Sequence, residues 1–442
     1  MKARLIPVHF GATPDEECLG QVKRLRDVLG EVAEILDPLP LGNPLPEADA
    51  IVFPQMLGEA YRRVEEIRAI QRPKLVITSE FGTVSMWDWE INRYLREAGS
   101  AVLAPYNLDQ AKVLCRSLAL KRELRDGRFL VYQDNPGEGF QASIFKRFYW
   151  WEPEWADRLR GTFGIRLEKR SFRELGARAK AIPDAMAMAA WERWRDRLPV
   201  ADNVPERSVL SAIRLYLALR EDLAREDAVL AAGINCLNES HFSDTTPCLA
   251  WNLLYQEMGL IWGCEADSAT MLTELLVQRT LGVPFMMTNM YPFLMGQAAL
   301  KHERIPYFPE VPEEPDNHVL AAHCGYFGVV PQPFASQWTL RRKVLAIVDD
   351  NATAIDARFA EGPITLVKID SACRALSVVQ GELETYAQFA NSDCLNGAVL
   401  RVPDGHRLMR ELVSHHYIVV QGHRLHDLEL LAAVFGLCVE AL

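Results

Sequence analysis

The hydrophobic pattern of the chain changes near residue 317, and this change constrains the fold more than any other feature. Before that point, short apolar runs alternate with stretches that have the periodicity of amphipathic helices. After it, short apolar runs follow one another with turn residues between them, and a helical pattern closes the chain. Strand–helix alternation is typical of parallel sheets, whereas closely spaced strands are typical of antiparallel ones. We predict an α/β protein with two Rossmann-like parallel-sheet domains followed by a β-rich C-terminal domain.

The length of the chain agrees with this organisation. At about 100–200 residues per domain, 442 residues make two or three domains. We place an N-terminal α/β domain at residues 1–127, a central α/β domain at 128–288 and a β-rich domain at 289–442. The strands predicted in the first domain are residues 4–9, 33–36, 50–54, 74–78 and 101–103. Those predicted after residue 317 are 318–322, 343–348, 364–369, 374–379, 397–402 and 417–420.

Composition excludes several classes of protein. The net charge of −11 argues against a nucleic-acid binder, which needs a basic face to replace phosphate counterions. The longest apolar runs are too short for a membrane-spanning helix, and the first residues do not form a secretory signal. The nine cysteines include no C-x-x-C pair. We therefore expect reduced thiols and a cytoplasmic protein without a membrane or nucleic-acid partner.

The first candidate site follows the apolar run at residues 260–264. Ligand sites of parallel sheets form at the carboxyl ends of strands, so Glu265 and Asp267 should face a crevice. Asp267 has an alternative role as the N-cap of the helix predicted at residues 268–281. Glu265 has no such role, because the end of a strand does not need a carboxylate. Glu265 is therefore the leading candidate for a functional residue.

Other polar groups also follow apolar runs. Asn289 comes after the next predicted strand, at residues 284–288, and His323 comes after residues 318–322. Eight of the ten histidines fall in the last third of the chain. Two of them, His415 and His416, are adjacent beside a predicted strand. Because neighbouring strand residues face opposite sides, we expect only one of this pair to point into a given site.

Taken together, these segments resemble the superfamily of L-fucose isomerase and L-arabinose isomerase. The resemblance is carried by the block 263–267, by residues 235–251 before it, and by the C-terminal segment that contains His415, His416, Tyr417 and His423. It covers residues 228–442. The resemblance implies a fucose isomerase-like fold and assembly as a homotrimer or homohexamer.

In that family, two carboxylates and a histidine hold a divalent ion, usually manganese. The resemblance makes Glu265 the first carboxylate and the acid–base group, makes His416 the C-terminal metal ligand, and offers His323 as a further ligand. Asn289 stands where the family has its second acidic ligand, so the ligand there would be an uncharged amide that cannot serve as a base. The substrate-binding candidates are Asp267, Tyr291, His415 and His423.

The implied function is a manganese-dependent ketol isomerase that converts an open-chain sugar between aldose and ketose through an enediol. Because Asn289 removes one carboxylate, two alternatives remain: an epimerase or lyase that acts on a related sugar, and a sugar-binding protein without catalysis. Aromatic residues 148–155 suit either sugar stacking or a core or subunit contact. Trp87, Asp88 and Trp89 are candidates to complete the pocket of a neighbouring subunit.

Overall fold

A computed structural model describes residues 1–55, 57–84, 87–134, 152–294, 296, 300–301, 313–323, 330–342, 351–389, 392 and 395–442. The strands in these ranges are β1 (Ala3–His9), β2 (Ala33–Ile35), β3 (Leu39–Pro40), β4 (Ala50–Phe53), β5 (Lys74–Val76), β6 (Arg128–Tyr132), β7 (Arg166–Arg170), β8 (Val229–Ile234), β9 (Ile261–Cys264), β10 (Phe285–Pro292), β11 (His318–Ala322), β12 (Gln337–Arg342), β13 (Thr353–Arg358), β14 (Gly362–Ile369), β15 (Ala375–Ala387), β16 (Gly397–Arg401), β17 (His416–Gln421) and β18 (Cys438–Ala441).

The α-helices in the same ranges are α1 (Glu16–Leu29), α2 (Val64–Ala69), α3 (Asp88–Glu97), α4 (Leu108–Glu123), α5 (Pro153–Phe163), α6 (Phe172–Ala181), α7 (Asp184–Trp191), α8 (Glu206–Ala224), α9 (Cys236–Glu239), α10 (Cys248–Met258), α11 (Ser268–Leu281), α12 (Gly405–Arg410) and α13 (Leu425–Phe435). Among the described helices, none combines the length and the apolar character needed to cross a membrane.

The described chain divides into two compact units. The first contains Met1–Arg125, Arg279–Gly282 and His426–Cys438, and the second contains the segments Asp126–Gln278, Val283–Leu425 and Val439–Leu442. The predicted boundary at residues 288 and 289 falls inside β10, which pairs with β11 and β17 of the β-rich region. The division into three domains stays a prediction.

The first unit is built on a parallel sheet with the strand order β2-β1-β4-β5, and β3 pairs with the end of β1. Alternate residues of β1 enter different cores: Leu5 packs with Val22 and Leu25 of α1, whereas Ile6 belongs to the core on the other face. The strand predicted at residues 101–103 is wrong in extent. Only an isolated bridge between Leu103 and Leu75 forms there.

The second unit begins with a parallel sheet in the order β7-β6-β8-β9. Tyr132 is in register with Ile234, and Ile234 is in register with Cys264, so that β6, β8 and β9 end together. The residues that follow these strands are Gln133, Asn235 and Glu265. The register therefore places two amides and one carboxylate in a row at the carboxyl edge of the sheet.

The β-rich region contains a closed antiparallel barrel of six strands. Its order is β14-β17-β10-β11-β16-β15, and the pairing of β14 with β15 closes the ring. Closure leaves no unpaired edge within the ring, which is how small barrels satisfy their backbone groups. Strand β18 pairs with β15, and β12 and β13 form a separate antiparallel pair. The strand predicted at residues 343–348 lies outside the described residues.

The structure is thus a mixed α/β protein in which parallel sheets precede a β-rich C-terminal region, as the change in hydrophobic pattern predicts.

Candidate metal centre

A tight turn between β9 and α11 presents two carboxylates at the end of a buried strand. Glu265 and Ala266 have φ values of 56° and 59°, in the left-handed region that ordinary residues rarely adopt. The Asp267 backbone N–H donates to the Cys264 carbonyl at 3.1 Å. A Cβ at Gly263 would lie 2.6 Å from the Met271 side chain, so only glycine lets the turn fold back on the strand. Unfavourable backbone geometry of this kind is concentrated at functional sites.

The imidazole of His416 joins the two carboxylates of this turn. Its Nδ1 atom lies 2.8 Å from Asp267 Oδ2, and its Nε2 atom lies 3.7 Å from Glu265 Oε2. An ionised carboxylate can only accept a hydrogen bond, so Nδ1 carries the proton. The Nε2 lone pair is then directed to the side on which Glu265 lies. His416 is fully buried, whereas Glu265 is 7% exposed.

His415 also belongs to this cluster. Ligand atoms of Glu265, His415 and His416 all lie within 4.8 Å of one another, a spacing that fits a single metal ion. The two imidazole rings are 4.0 Å apart between centroids and inclined by 44°. The expectation that only one of the two histidines could point into the site is wrong. Strand β17 begins at His416, so His415 precedes it and strand alternation does not govern its side chain.

The described contacts of Asp267 are all with buried protein groups. Besides His416, it accepts hydrogen bonds from the backbone N–H and the hydroxyl of Thr270, each at 2.8 Å. The contact with the Thr270 backbone is that of a helix N-cap, because α11 begins at Ser268. Asp267 therefore serves both as the N-cap and as the partner of His416. Its carboxylate is fully buried, which does not fit the predicted role in substrate binding.

Lys368 completes the buried network and was not identified from the sequence. It lies on β14, is fully buried, and its ammonium group is 3.2 Å from Asp267 Oδ2 and hydrogen-bonded to the Thr270 hydroxyl. A single charged residue inside the apolar strand Gly362–Ile369 could have indicated a buried ion pair.

Burial and neighbouring charges shift the pKa values of Asp267, His415 and His416. Burial alone would raise the pKa of Asp267, but Lys368 and His416 outweigh it and hold that pKa well below its usual range. Burial lowers the pKa of His415 to about 4. Burial and the neighbouring His415 lower the pKa of His416 well below its usual value, against the attraction of Asp267. Both imidazoles are therefore neutral near pH 7, which is the form that binds metals.

Asn289 lies directly opposite His416 in the pairing of β10 with β17. Its Nδ2 donates to the Tyr291 hydroxyl at 3.2 Å. Its Oδ1 is buried and has no hydrogen-bond partner among the described residues, as expected of an oxygen kept for a ligand. His323, also buried, has its ring centroid 5.9 Å from that of His416. Asn289, Tyr291 and His323 thus border the cluster.

The structure does not bring His423 into this cluster. Its Nε2 lies 3.2 Å from the Gly381 carbonyl and 3.5 Å from Glu382 Oε1, and its side chain is half exposed. His423 follows the end of β17, whereas His416 begins that strand. At roughly 3.3 Å per residue, the two histidines are about 20 Å apart along the chain. His416 and His423 are close in sequence but not in space, because the extended strand β17 lies between them.

Two buried amides stand beside Glu265 at the carboxyl edge of the parallel sheet. Asn235 is fully buried, Gln133 nearly so, and the side-chain amides of both make no hydrogen bond with any described residue. Buried polar groups without partners are rare in folded proteins. An amide both donates and accepts, so each can bind a hydroxyl group. Neither residue was predicted from the sequence.

The aromatic candidates fall into different environments. The Trp155 indole is buried and donates to the Ser268 hydroxyl at 2.7 Å, which is a core role; residues 148–151 lie outside the described part of the chain. In the first unit, Trp87 and Trp89 are exposed, but Asp88 is fully buried within its own chain. Burial makes Asp88 unsuitable for contacts with a neighbouring subunit.

One carboxylate and two neutral imidazoles make a set of three donors that suits a divalent transition metal such as manganese, iron or zinc. The amide oxygen of Asn289 offers a fourth, uncharged donor beside them. Glu265, a carboxylate that is 7% exposed, is also placed for proton transfer. No family model matches this chain, and no curated protein is significantly similar to it.

Proposed function

We propose that the protein is a metal-dependent ketol isomerase that acts on an open-chain carbohydrate. The observation that carries this proposal is the convergence of Glu265, His415 and His416, whose ligand atoms lie within 4.8 Å of one another. The motif blocks within residues 228–442 that resemble those of the fucose and arabinose isomerases are consistent with the same assignment. The cofactor would be Mn²⁺, the ion that the family resemblance implies; the three donors by themselves also suit iron or zinc.

Glu265, His415 and His416 would hold the ion, with Asn289 as an additional oxygen donor. The bound ion would stabilise the negative charge that develops on adjacent substrate oxygens. The 2.8 Å contact between Asp267 Oδ2 and His416 Nδ1 would keep the imidazole in one tautomer and orientation. Lys368, in contact with the same carboxylate, would hold Asp267 in place. Neutral histidines leave Glu265 as the one anionic ligand of the ion.

Glu265 would perform the proton transfer. Conversion of an aldose into a ketose removes a proton from C2 and returns one to C1, while a hydroxyl proton moves between the two neighbouring oxygens. Asn289 has no ionisable group, so Glu265 acts first as base and then as acid. The Glu265 carboxylate is 7% exposed, so it is largely shielded from bulk water.

The buried amides support a polyhydroxylated substrate. Asn235 and Gln133 continue the row that begins at Glu265, and neighbouring strands lie about 4.8 Å apart. A sugar chain whose reacting carbons lie at Glu265 would place its distal hydroxyl groups along this row. Each hydroxyl would satisfy an amide that has no described protein partner.

A homotrimer or homohexamer belongs to the same proposal. The first unit exposes several large aromatic side chains, and exposed apolar groups of this kind mark protein contacts. They are Tyr61, Phe81, Trp87, Trp89, Tyr94 and Tyr106.

The test is a screen of the purified protein against aldoses, ketoses and sugar acids with added Mn²⁺, in D₂O. An isomerase interconverts aldose and ketose and exchanges the C2 hydrogen with solvent. Exchange with inversion at C2 would indicate an epimerase, and loss of a hydroxyl group would indicate a lyase. Because Asn289 removes one carboxylate, the main competing function is sugar binding without turnover. Stoichiometric sugar binding without hydrogen exchange would replace our proposal with that one.

A further inference from the structure

We propose that a cavity at the amino-terminal edge of the parallel sheet in the first unit binds a small phosphate-bearing anion. Its volume is about 380 Å³. Arg4 contributes from the start of β1 and Arg72 from the segment before β5. Lys121 and Arg122 contribute from the C-terminal end of α4, and Arg125 from the 3-10 turn Leu124–Asp126 that follows it. We call this site the basic cavity.

The charge balance of the basic cavity favours an anion. Five cationic side chains line it, against the carboxylates of Glu47 and Asp49, in a chain whose net charge is −11. Asp49 is already engaged, because it accepts a hydrogen bond from the Arg4 backbone at 2.8 Å and forms an ion pair with Arg122. Arg4 is also paired, with Glu34 outside the cavity at 3.5 Å. Three cations, Arg72, Lys121 and Arg125, then remain against the single carboxylate of Glu47, so the cavity keeps an excess of positive charge.

The helix dipole at the end of α4 explains only part of this concentration of positive charge. Basic residues in the last turn of a helix favour its dipole, which would explain Lys121 and Arg122. Arg4 and Arg72 come from other segments and converge on the same space. The Arg125 side chain makes no hydrogen bond or ion pair with a described residue. Burial and the nearby Arg125 both lower the pKa of Lys121, so these two cations repel each other.

Phosphate is the anion that best fits these groups. A guanidinium group offers five N–H donors in a plane and binds two phosphate oxygens at once. The described contacts of Arg72 use one such donor, on the Pro46 carbonyl. Lys121 is held in place by the Val434 carbonyl at 2.7 Å. A volume of about 380 Å³ admits a phosphorylated metabolite of a few carbons as well as free phosphate.

The experiment is a calorimetric titration of the full-length protein at constant ionic strength, with inorganic phosphate in one arm and glycerol 3-phosphate in the other. We expect saturable binding by the wild type and at least a tenfold weaker Kd for Arg125→Ala and for Arg72→Ala. Arg125→Lys should keep part of the affinity, because it keeps the charge. The matched control is Arg93→Ala, which removes an exposed arginine on α3, outside the basic cavity, paired with Glu97 at 3.0 Å.

The two arms also identify the source of the phosphate group. Tighter binding of glycerol 3-phosphate indicates a phosphate ester, and equal binding indicates free phosphate. Circular dichroism verifies that each variant is folded. Absence of saturable binding by the wild type, or an equal loss of affinity in Arg93→Ala, would overturn the proposal. None of these measurements depends on isomerase activity.

Discussion

The Nδ1 atom of His416 lies 2.8 Å from Asp267 Oδ2, although 149 residues separate the two in the chain. This contact gives His416 one tautomer, with its proton on Nδ1 and its lone pair on Nε2. Asp267 is in turn fixed by Thr270 and Lys368. The orientation of the His416 imidazole toward Glu265 is therefore fixed by the buried side chains of Asp267, Thr270 and Lys368.

Replacement of Glu265 by glutamine tests the proton-transfer role. Glu265→Gln keeps the shape of the side chain but removes its basicity, so turnover should fall by about 10³-fold while the thermal midpoint stays within a few degrees. The measurement is initial rate together with thermal unfolding. Glu382→Gln is the matched control, because Glu382 lies 3.5 Å from His423 and outside the cluster. Normal turnover in Glu265→Gln would remove Glu265 from its role.

Asn289→Asp should raise the affinity for Mn²⁺. The variant adds a second carboxylate in register with His416, and an additional charged ligand should tighten binding by about tenfold, or roughly 1.4 kcal/mol. Titration of the metal-free protein with Mn²⁺ measures the effect. Asn289→Ala should show no gain. If both variants bind Mn²⁺ like the wild type, Asn289 does not line the metal site.

Lys368→Met should strongly destabilise the protein. It leaves the buried carboxylate of Asp267 without its cation, and loss of one partner from a buried ion pair costs about 3–5 kcal/mol. Urea denaturation measures the free energy of unfolding. Arg93→Met breaks an exposed ion pair and should cost less than about 1 kcal/mol. Equal effects of the two substitutions would show that the buried pair contributes little.

The stability of the metal-free protein should fall as pH is lowered from about 6.5 to about 4. Burial lowers the pKa of His415 to about 4, so the unfolded chain binds a proton in this range that the folded chain does not. Stability is then fully present above the unfolded pKa and is lost as pH falls through this window. Denaturation at several pH values measures the slope. His415→Gln should reduce the slope but not abolish it, because burial also lowers the pKa of His416. An unchanged slope in that variant would assign the effect to other groups.

Asn235→Leu should separate stability from function. A buried amide without a described partner costs about 1–3 kcal/mol, so leucine of similar shape should raise the free energy of unfolding by about 1 kcal/mol. KM for the sugar should rise, because one hydroxyl loses its partner. Both quantities can be measured on the same preparation. Lower stability together with an unchanged KM would show that Asn235 has a structural role.

Local pattern was sufficient to predict the type and order of most elements. The spacing of apolar residues reports which side of a helix or strand is buried, and this property depends on near neighbours in the chain. The same reasoning located Glu265, because the end of β9 is visible in the sequence as the end of an apolar run.

Tertiary structure alone decided which side chains meet. His415 joins the cluster and His423 does not, because the start of β17 lies opposite Asn289, whereas the other end of β17 lies opposite Phe285. Lys368 reaches Asp267 only because β14 closes a barrel against β17 and β15. Such contacts depend on strand pairing between residues distant in sequence, and local periodicity carries no information about partners of that kind.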